Sequence, residues 1–185
     1  MAPKRGHEDE SNFALRPAWR LSDPAIARDA ELFWRREQIL PNAVDVGERL
    51  RGLCVAGYDG DELIALSTAR IRQIDFLAAK LAMLRIATAS ARRGARLAST
   101  ISAKSLELLE EWSVANPTES VMGMATVTQT HNYDNVGPVL AVWNRLCFIG
   151  WTADGEAMHV AWFAHGRVPM RRPDSASAPL QGFVP

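Results

Sequence analysis

Little in this chain invites metal or disulfide chemistry. Cys54 and Cys147 are its two cysteines, and they stand isolated with no paired spacing, so neither a disulfide framework nor a zinc cluster is indicated. An H-E-x-x-H helix is missing too. There is no G-x-x-x-x-G-K-[ST] phosphate loop, no G-x-G-x-x-G fingerprint and no G-x-S-x-G elbow, which argues against an ordinary nucleotide triphosphatase, a Rossmann enzyme and a serine hydrolase. An excess of one charge is absent: Lys plus Arg and Asp plus Glu are each 21, so the formal net charge is zero. Global steering of nucleic acid or of an acidic membrane is therefore not expected, and anion binding must come from local clusters. No stretch approaches the roughly 20 apolar residues of a membrane span, and MAPKRGHEDES lacks the apolar region of a signal peptide. The expectation is a soluble, cytoplasmic protein with no membrane partner.

What the sequence does contain is ordinary globular material. Apolar residues make up 48% and charged residues 23% of 185, enough for one domain with a full core. Residues 1–13 are polar and mixed in charge and read as a disordered lead-in. Residues 165–185, with Pro169, Pro173, Pro179 and Pro185, lack any period and read as a flexible tail. The domain is expected over 14–164, and no internal repeat is visible.

A first strand is predicted over 14–21. Ser22 or Asp23 can then cap a helix whose first position is Pro24 and which runs to about Ile39, with Ile26, Ala30, Phe33 and Trp34 on one face. Pro41 breaks it, and a short helix capped by Asn42 is predicted over 43–51. From Leu53 the period becomes strand-like, and Asp59-Gly60-Asp61 marks a hairpin turn. The second arm alternates imperfectly, which leaves its buried face undecided, and Asp75–Ala79 turns the chain into a strand beginning near Lys80. A helix bearing Leu97, Ile101, Leu108 and Trp112 follows, then a strand over 121–127, a helix over 136–146 and two strands over 148–152 and 157–164. Hairpins on either side of a central strand-helix-strand unit give an α+β arrangement.

The connection between the fourth strand and the long helix is the most informative stretch. Ala91-Arg92-Arg93-Gly94-Ala95-Arg96 places arginines where a helix already carries partial positive charge and unpaired N–H groups. That placement suits a bound anion, a phosphate or pyrophosphate shared between backbone N–H and guanidinium groups. A solvated basic loop is the alternative.

Element order and turn together resemble the GNAT acetyltransferase superfamily, whose turn after the fourth strand follows Q/R-x-x-G-x-G/A. Arg93, Gly94, Ala95, Arg96, Leu97 and Ala98 are the matching residues; the first and last positions agree, and Arg96 stands at the middle glycine. Near the C-terminus Val142-Trp143-Asn144-Arg145-Leu146-Cys147-Phe148 is similar to the family's L-Y-x-K-x-G-F, with Trp143 at the tyrosine and Cys147 at the glycine. The resemblance implies a mixed, largely antiparallel sheet of about six or seven strands flanked by about four helices. It also implies an N-acetyltransferase that uses acetyl-CoA on a small-molecule or peptide amine, with homodimerisation left open. Its cofactor contacts would come from Ile86, Ala87 and Thr88 on the fourth strand, from Arg92, Arg93, Gly94, Ala95, Arg96, Leu97 and Ala98, and from Asn135 and Trp143.

Amine acetylation also needs a base for the ammonium and an acid for the thiolate. His131 is the best base by intrinsic pKa, and Tyr133 can replace the missing tyrosine acid. An exposed loop histidine is the competing reading of His131. His159 reads as structural, and Glu62 and Asp75 are secondary candidates for the base. Two other functions stay open: a module of the same fold that binds coenzyme A or a partner without turnover, and nucleic-acid binding by Arg92, Arg93 and Arg96 with Arg171 and Arg172. The second is disfavoured by the zero net charge.

Overall fold

The computed structural model describes residues 13–40, 45–93, 95–128 and 145–167. Seven strands form one sheet: β1 (Ala14–Pro17), β2 (Leu53–Asp59), β3 (Glu62–Ile74), β4 (Ala79–Thr88), β5 (Val121–Thr128), β6 (Cys147–Trp151) and β7 (Ala157–Trp162). Their order across the sheet is β1-β2-β3-β4-β5-β7-β6. Every neighbouring pair is antiparallel except β4 and β5, which run parallel through the crossover helix. The helices are α1 (Pro24–Glu37), α2 (Val46–Leu50) and α3 (Ala95–Ala115).

Three α-helices, not about four, therefore flank the sheet among the described residues. The helix expected over 136–146 falls on residues outside that set except for its last two, and these are not helical. Arg145 has φ 67, in the left-handed region, and leads into β6.

Local chemistry explains most element ends. Asp23 caps α1, its carboxylate accepting the Ala25 and Ile26 N–H groups at 2.9 and 3.3 Å, and Pro24 occupies the first turn, where no N–H is needed. Helix α1 ends two residues earlier than expected, because Gln38 adopts the left-handed conformation and turns its own N–H back to Arg35 and Trp34. Asp45, not Asn42, caps α2 by accepting from Gly47 N–H at 2.8 Å.

The sheet separates two cores. Against one face α3 lays Leu97, Ile101, Leu106 and Leu109 on Cys54, Val55, Ala69, Ala82, Leu84 and Met124. Against the other, α1 lays Ile26, Ala30, Phe33 and Trp34 on Leu53, Ala56, Tyr58, Leu63 and Leu66. Burying each large apolar side chain contributes roughly 1.5–3 kcal/mol, so these stripes anchor both helices. Phe13 packs on the α3 core as well.

The buried stripe of α3 differs from the expected one. Ser105, fully buried, stands between Ile101 and Leu109, while Leu108 and Trp112 are displaced to its flank. A serine is tolerated there because its hydroxyl donates to the Ile101 carbonyl at 2.7 Å and meets Ser67 at 2.8 Å, and Ser67 in turn accepts the Val55 N–H at 3.1 Å. Among the described residues no helix is long and apolar enough to cross a membrane.

Candidate functional site

The sheet opens at its centre. Parallel pairing of β4 with β5 begins at Lys80–Val121 and stops at Leu84–Thr126, whereas β4 continues its pairing with β3 to Thr88–Ala65. Backbone direction beyond Leu84 follows from one bond. Ala89 N–H donates to Ile64 C=O at 2.8 Å, so Ala89 and Ala87 point toward β3. Alternation then turns the N–H and C=O groups of Ile86 and Thr88 the other way, into the gap that β5 has left. Of the expected fourth-strand residues, Ile86 and Thr88 thus face the gap through their backbone. Ala87 instead directs its side chain to the α1 core.

Chain direction carries β4 from this gap straight into the basic turn. Ser90–Arg92 forms a single 3₁₀ turn, Arg93 is extended (φ −61, ψ 123), and α3 starts at Ala95. Only Arg96 lies in the first turn of α3, not a cluster of three arginines. Helices α1 and α2 are each capped by an aspartate, whereas α3 has no acidic residue in its first turn. Leu97 is buried in the core beneath the turn and Ala98 half-buried beside it, which fixes the direction of the helix.

The arginines divide by partner. Arg92 is paired with Asp59 at the tip of the β2–β3 hairpin. Arg93 and Arg96 are exposed and make no ion pair with another described residue. Glu37, at the end of α1, accepts the Ser90 N–H at 2.8 Å and the Arg36 Nε at 3.1 Å. The Ser90 N–H, more than the arginine, holds its carboxyl below the usual range. Arg36 also bonds Glu62 at 2.9 Å and the Leu63 carbonyl at 2.9 Å. Glu62 is therefore tied to a guanidinium, a poor position for a free base. Asp75 sits at the β3–β4 connection, the far end of β4 from the gap. Gly94, His131, Tyr133, Asn135 and Trp143 lie outside the described residues, as does the side chain of Ala95.

One residue discounted from sequence comes close to the gap. His159 on β7 stands opposite Thr126, which stands opposite Leu84, the last pair before the strands part. Its ring lies edge-on to Phe148 with centroids 5.7 Å apart, and burial lowers its pKa from the ordinary imidazole value. Strand alternation alone, without the pairing, carries no signal of this placement. His165 has a structural partner: the Ser113 hydroxyl donates to the Val121 carbonyl at 2.7 Å, so His165 Nε2, 3.1 Å away, donates to Ser113 Oγ and does not activate it. Tyr58 is buried under α1, its hydroxyl donating to Asp29 at 2.9 Å, and burial pushes its pKa up. The Arg145 guanidinium bonds Glu110 at 2.8 Å and the Trp162 carbonyl at 2.7 Å, a structural tie between α3 and β7.

Chemically, the arrangement offers two outward backbone donors where the central strands part, with, at its end, arginines that pair with no described carboxylate and a helix start that has no acidic residue in its first turn. No family model matches the sequence, and no curated protein does. Solved structures do match. They include the GNAT family N-acetyltransferase YhbS from Escherichia coli in complex with CoA, at 17% identity and TM-score 0.53, covering 82% of this chain and 82% of that one. The ribosomal-protein-S5-alanine acetyltransferase from Vibrio fischeri is similar at 10% identity and TM-score 0.54, with 86% and 97% covered. Naa50 from Arabidopsis thaliana, in complex with the bisubstrate analogue CoA-Ac-MVNAL, is similar at 10% identity and TM-score 0.50, with 80% and 96% covered. A seven-stranded sheet parted between its one parallel pair, with a basic turn leading into the crossover helix, is the fold of the GNAT acetyltransferases, and this chain has it.

Proposed function

We propose that this protein is an N-acetyltransferase that takes its acetyl group from acetyl-CoA and passes it to an amine of a small molecule or peptide. The observation that carries this reading is the gap beyond Leu84–Thr126, into which Ile86 and Thr88 turn their N–H groups and which ends at Arg93 and the start of α3. These residues fit acetyl-CoA. Arg93, Arg96 and the first N–H groups of α3 suit a pyrophosphate, and the outward N–H of Ile86 or Thr88 suits a thioester carbonyl oxygen. Bound acetyl-CoA would supply the activated acyl group. The chain itself would hold it in reach of the amine and move two protons. His131 is proposed as the base and Tyr133 as the acid, with Asn135 and Trp143 as further cofactor contacts.

The complexes of YhbS with CoA and of Naa50 with CoA-Ac-MVNAL support this choice of cofactor. Calorimetric titration with acetyl-CoA tests it: binding at sub-millimolar ligand is expected, and its absence sinks the proposal. Arg93→Glu should abolish that binding, while Arg92→Ala, which removes a group already held by Asp59, should weaken it far less.

One observation favours a second reading, a module that binds coenzyme A without turnover. The described tyrosine, Tyr58, is committed to Asp29, and Trp143 stands at the family's tyrosine position. Binding without acetylation across an amine panel would select this reading. Lower turnover with unchanged affinity in His131→Ala or Tyr133→Phe would select the enzyme.

A further inference from the structure

Among the described residues, two buried polar side-chain atoms have no hydrogen-bond partner: Trp19 Nε1 and Ser102 Oγ. The serine stands out against its own helix. On α3 the hydroxyls of Thr100 and Ser105 donate to the carbonyls of Arg96 and Ile101 at 2.8 and 2.7 Å, and that of Ser113 donates to the Val121 carbonyl at 2.7 Å. Ser102 is 5% exposed, and its hydroxyl makes no such bond. An unpaired buried hydroxyl works against folding, whereas alanine at the same place would not.

Neighbouring contacts fix where this hydroxyl lies. Ile101 Cδ1 comes within 3.1 Å of a Cβ built on Gly57, and Gly57 stands opposite Ala65, which stands opposite Thr88. One turn along, Ser105 meets Ser67 at 2.8 Å, and Ser67 stands opposite Ile86. Residues 101–105 of α3 are therefore level with Thr88 and Ile86, the two residues that turn their N–H groups into the gap. Ser102 is rotated about 100° from Ile101 and about 20° from Ser113, some three turns further on. Ser113 reaches Val121 of β5, so this side of α3 faces β5 and not β2. The Ser102 hydroxyl thus borders the gap from the α3 face, while Ile86 and Thr88 border it from the strand. Beyond Leu84–Thr126 no described pairing of β4 with β5 lies beneath it, and a ligand held between the strands meets it from the sheet side, shielded from bulk water. Depth selects the group it meets. Ser102 is about 10 Å into α3 at ~1.5 Å per residue, well past the arginines at the helix start. At that distance from its pyrophosphate, acetyl-CoA presents the amides of its pantetheine arm, for which an uncharged hydroxyl is the fitting donor. We propose that Ser102 binds the pantetheine arm of acetyl-CoA, its hydroxyl donating to an amide carbonyl; the inference rests on the acetyl-transfer reading above.

The test is calorimetric binding of two probes to the full chain: CoA, and adenosine 3′-phosphate 5′-diphosphate, which is CoA without its pantetheine arm. Ser102→Ala should weaken CoA binding by about fivefold or more and change binding of the fragment by less than about twofold. Urea denaturation without ligand supplies an independent readout. Ser102→Ala should leave the unfolding midpoint unchanged or raised, because it removes a hydroxyl that has no partner, whereas Ser105→Ala, which loses its bonds to Ile101 and Ser67, should lower it. Unchanged CoA binding in Ser102→Ala overturns the proposal, as does equal weakening of both probes or a midpoint lowered as far as in Ser105→Ala. A wild-type chain that does not bind CoA overturns the acetyl-transfer reading and this inference with it; wild type and Ser102→Ala binding CoA alike overturns this inference alone.

Discussion

A methyl group at Gly123 would strike the backbone that seats β5. A Cβ built there lies 2.7 Å from the Ala161 carbonyl oxygen, 3.3 Å from Leu81 Cδ2 and 3.3 Å from Trp162 Cα. Leu81 on β4 and Trp162 on β7 are its register partners, so β5 is hemmed in on both sides at this residue. The leucine can turn aside. A carbonyl oxygen in a strand cannot, so one strand must shift by several tenths of an ångström to restore ordinary contact. Overpacking costs about 1–3 kcal/mol, and a rigid backbone neighbour puts Gly123→Ala near the top, at about 3 kcal/mol. With a urea dependence of about 2 kcal/mol per molar, the unfolding midpoint should fall by about 1.5 M. Equilibrium urea denaturation followed by tryptophan fluorescence reads this through the buried Trp19 and Trp34. Gly47→Ala, whose nearest contact is a flexible Asp45 oxygen at 3.2 Å, is the control and should leave the midpoint unchanged or raised. A midpoint shift below about 0.3 M in Gly123→Ala would refute the claim that β5 is held this closely.

Further expectations concern the buried polar chain, the thiols and acid stability. Ser67→Ala leaves the buried Val55 N–H without its acceptor and should cost about 1–3 kcal/mol in the same denaturation assay. Native protein should take one equivalent of Ellman's reagent, at Cys147: Cys54 is fully buried and burial pushes its pKa up to about 12, so its thiolate forms only on unfolding, when a second equivalent reacts. Glu110 accepts from Arg145 and from the Ala164 N–H, and the arginine bond does most to lower its pKa. A depressed carboxyl contributes stability that is fully present above its ordinary 4.5 and is lost as pH falls through the folded value. Glu110→Gln should therefore flatten the loss of thermal stability below pH 4.5, and an unchanged acid limb would count against this assignment.

Some of this was readable in the chain, and the reasons are local. Asp23-Pro24 announces α1 because capping and a fixed φ act within one turn, and Asp59-Gly60 announces the β2–β3 hairpin because turn conformation is set by the residues in it. The α3 stripe was only half legible. Hydrophobic spacing found Leu97 and Ile101 but passed over Ser105, whose place in the core depends on Ser67, thirty-eight residues away in sequence. The second arm of the hairpin was equally opaque. Its face became definite only when Arg70 and Arg85 were placed across from their neighbours on β3 and β4.

The candidate site divides the same way. By itself the sequence determined that arginines flank a glycine turn between a strand and a helix, since adjacency in the chain guarantees adjacency in space. Tertiary structure decided what those arginines touch. Asp59 is thirty-three residues from Arg92 and takes it by a hairpin tip, which leaves Arg93 and Arg96 without a carboxylate among the described residues. It also decided where the sheet parts. Pairing between β4 and β5 is a contact across the whole of α3, and no residue type at Ile86 or Thr88 encodes that their N–H groups will find no described strand beside them.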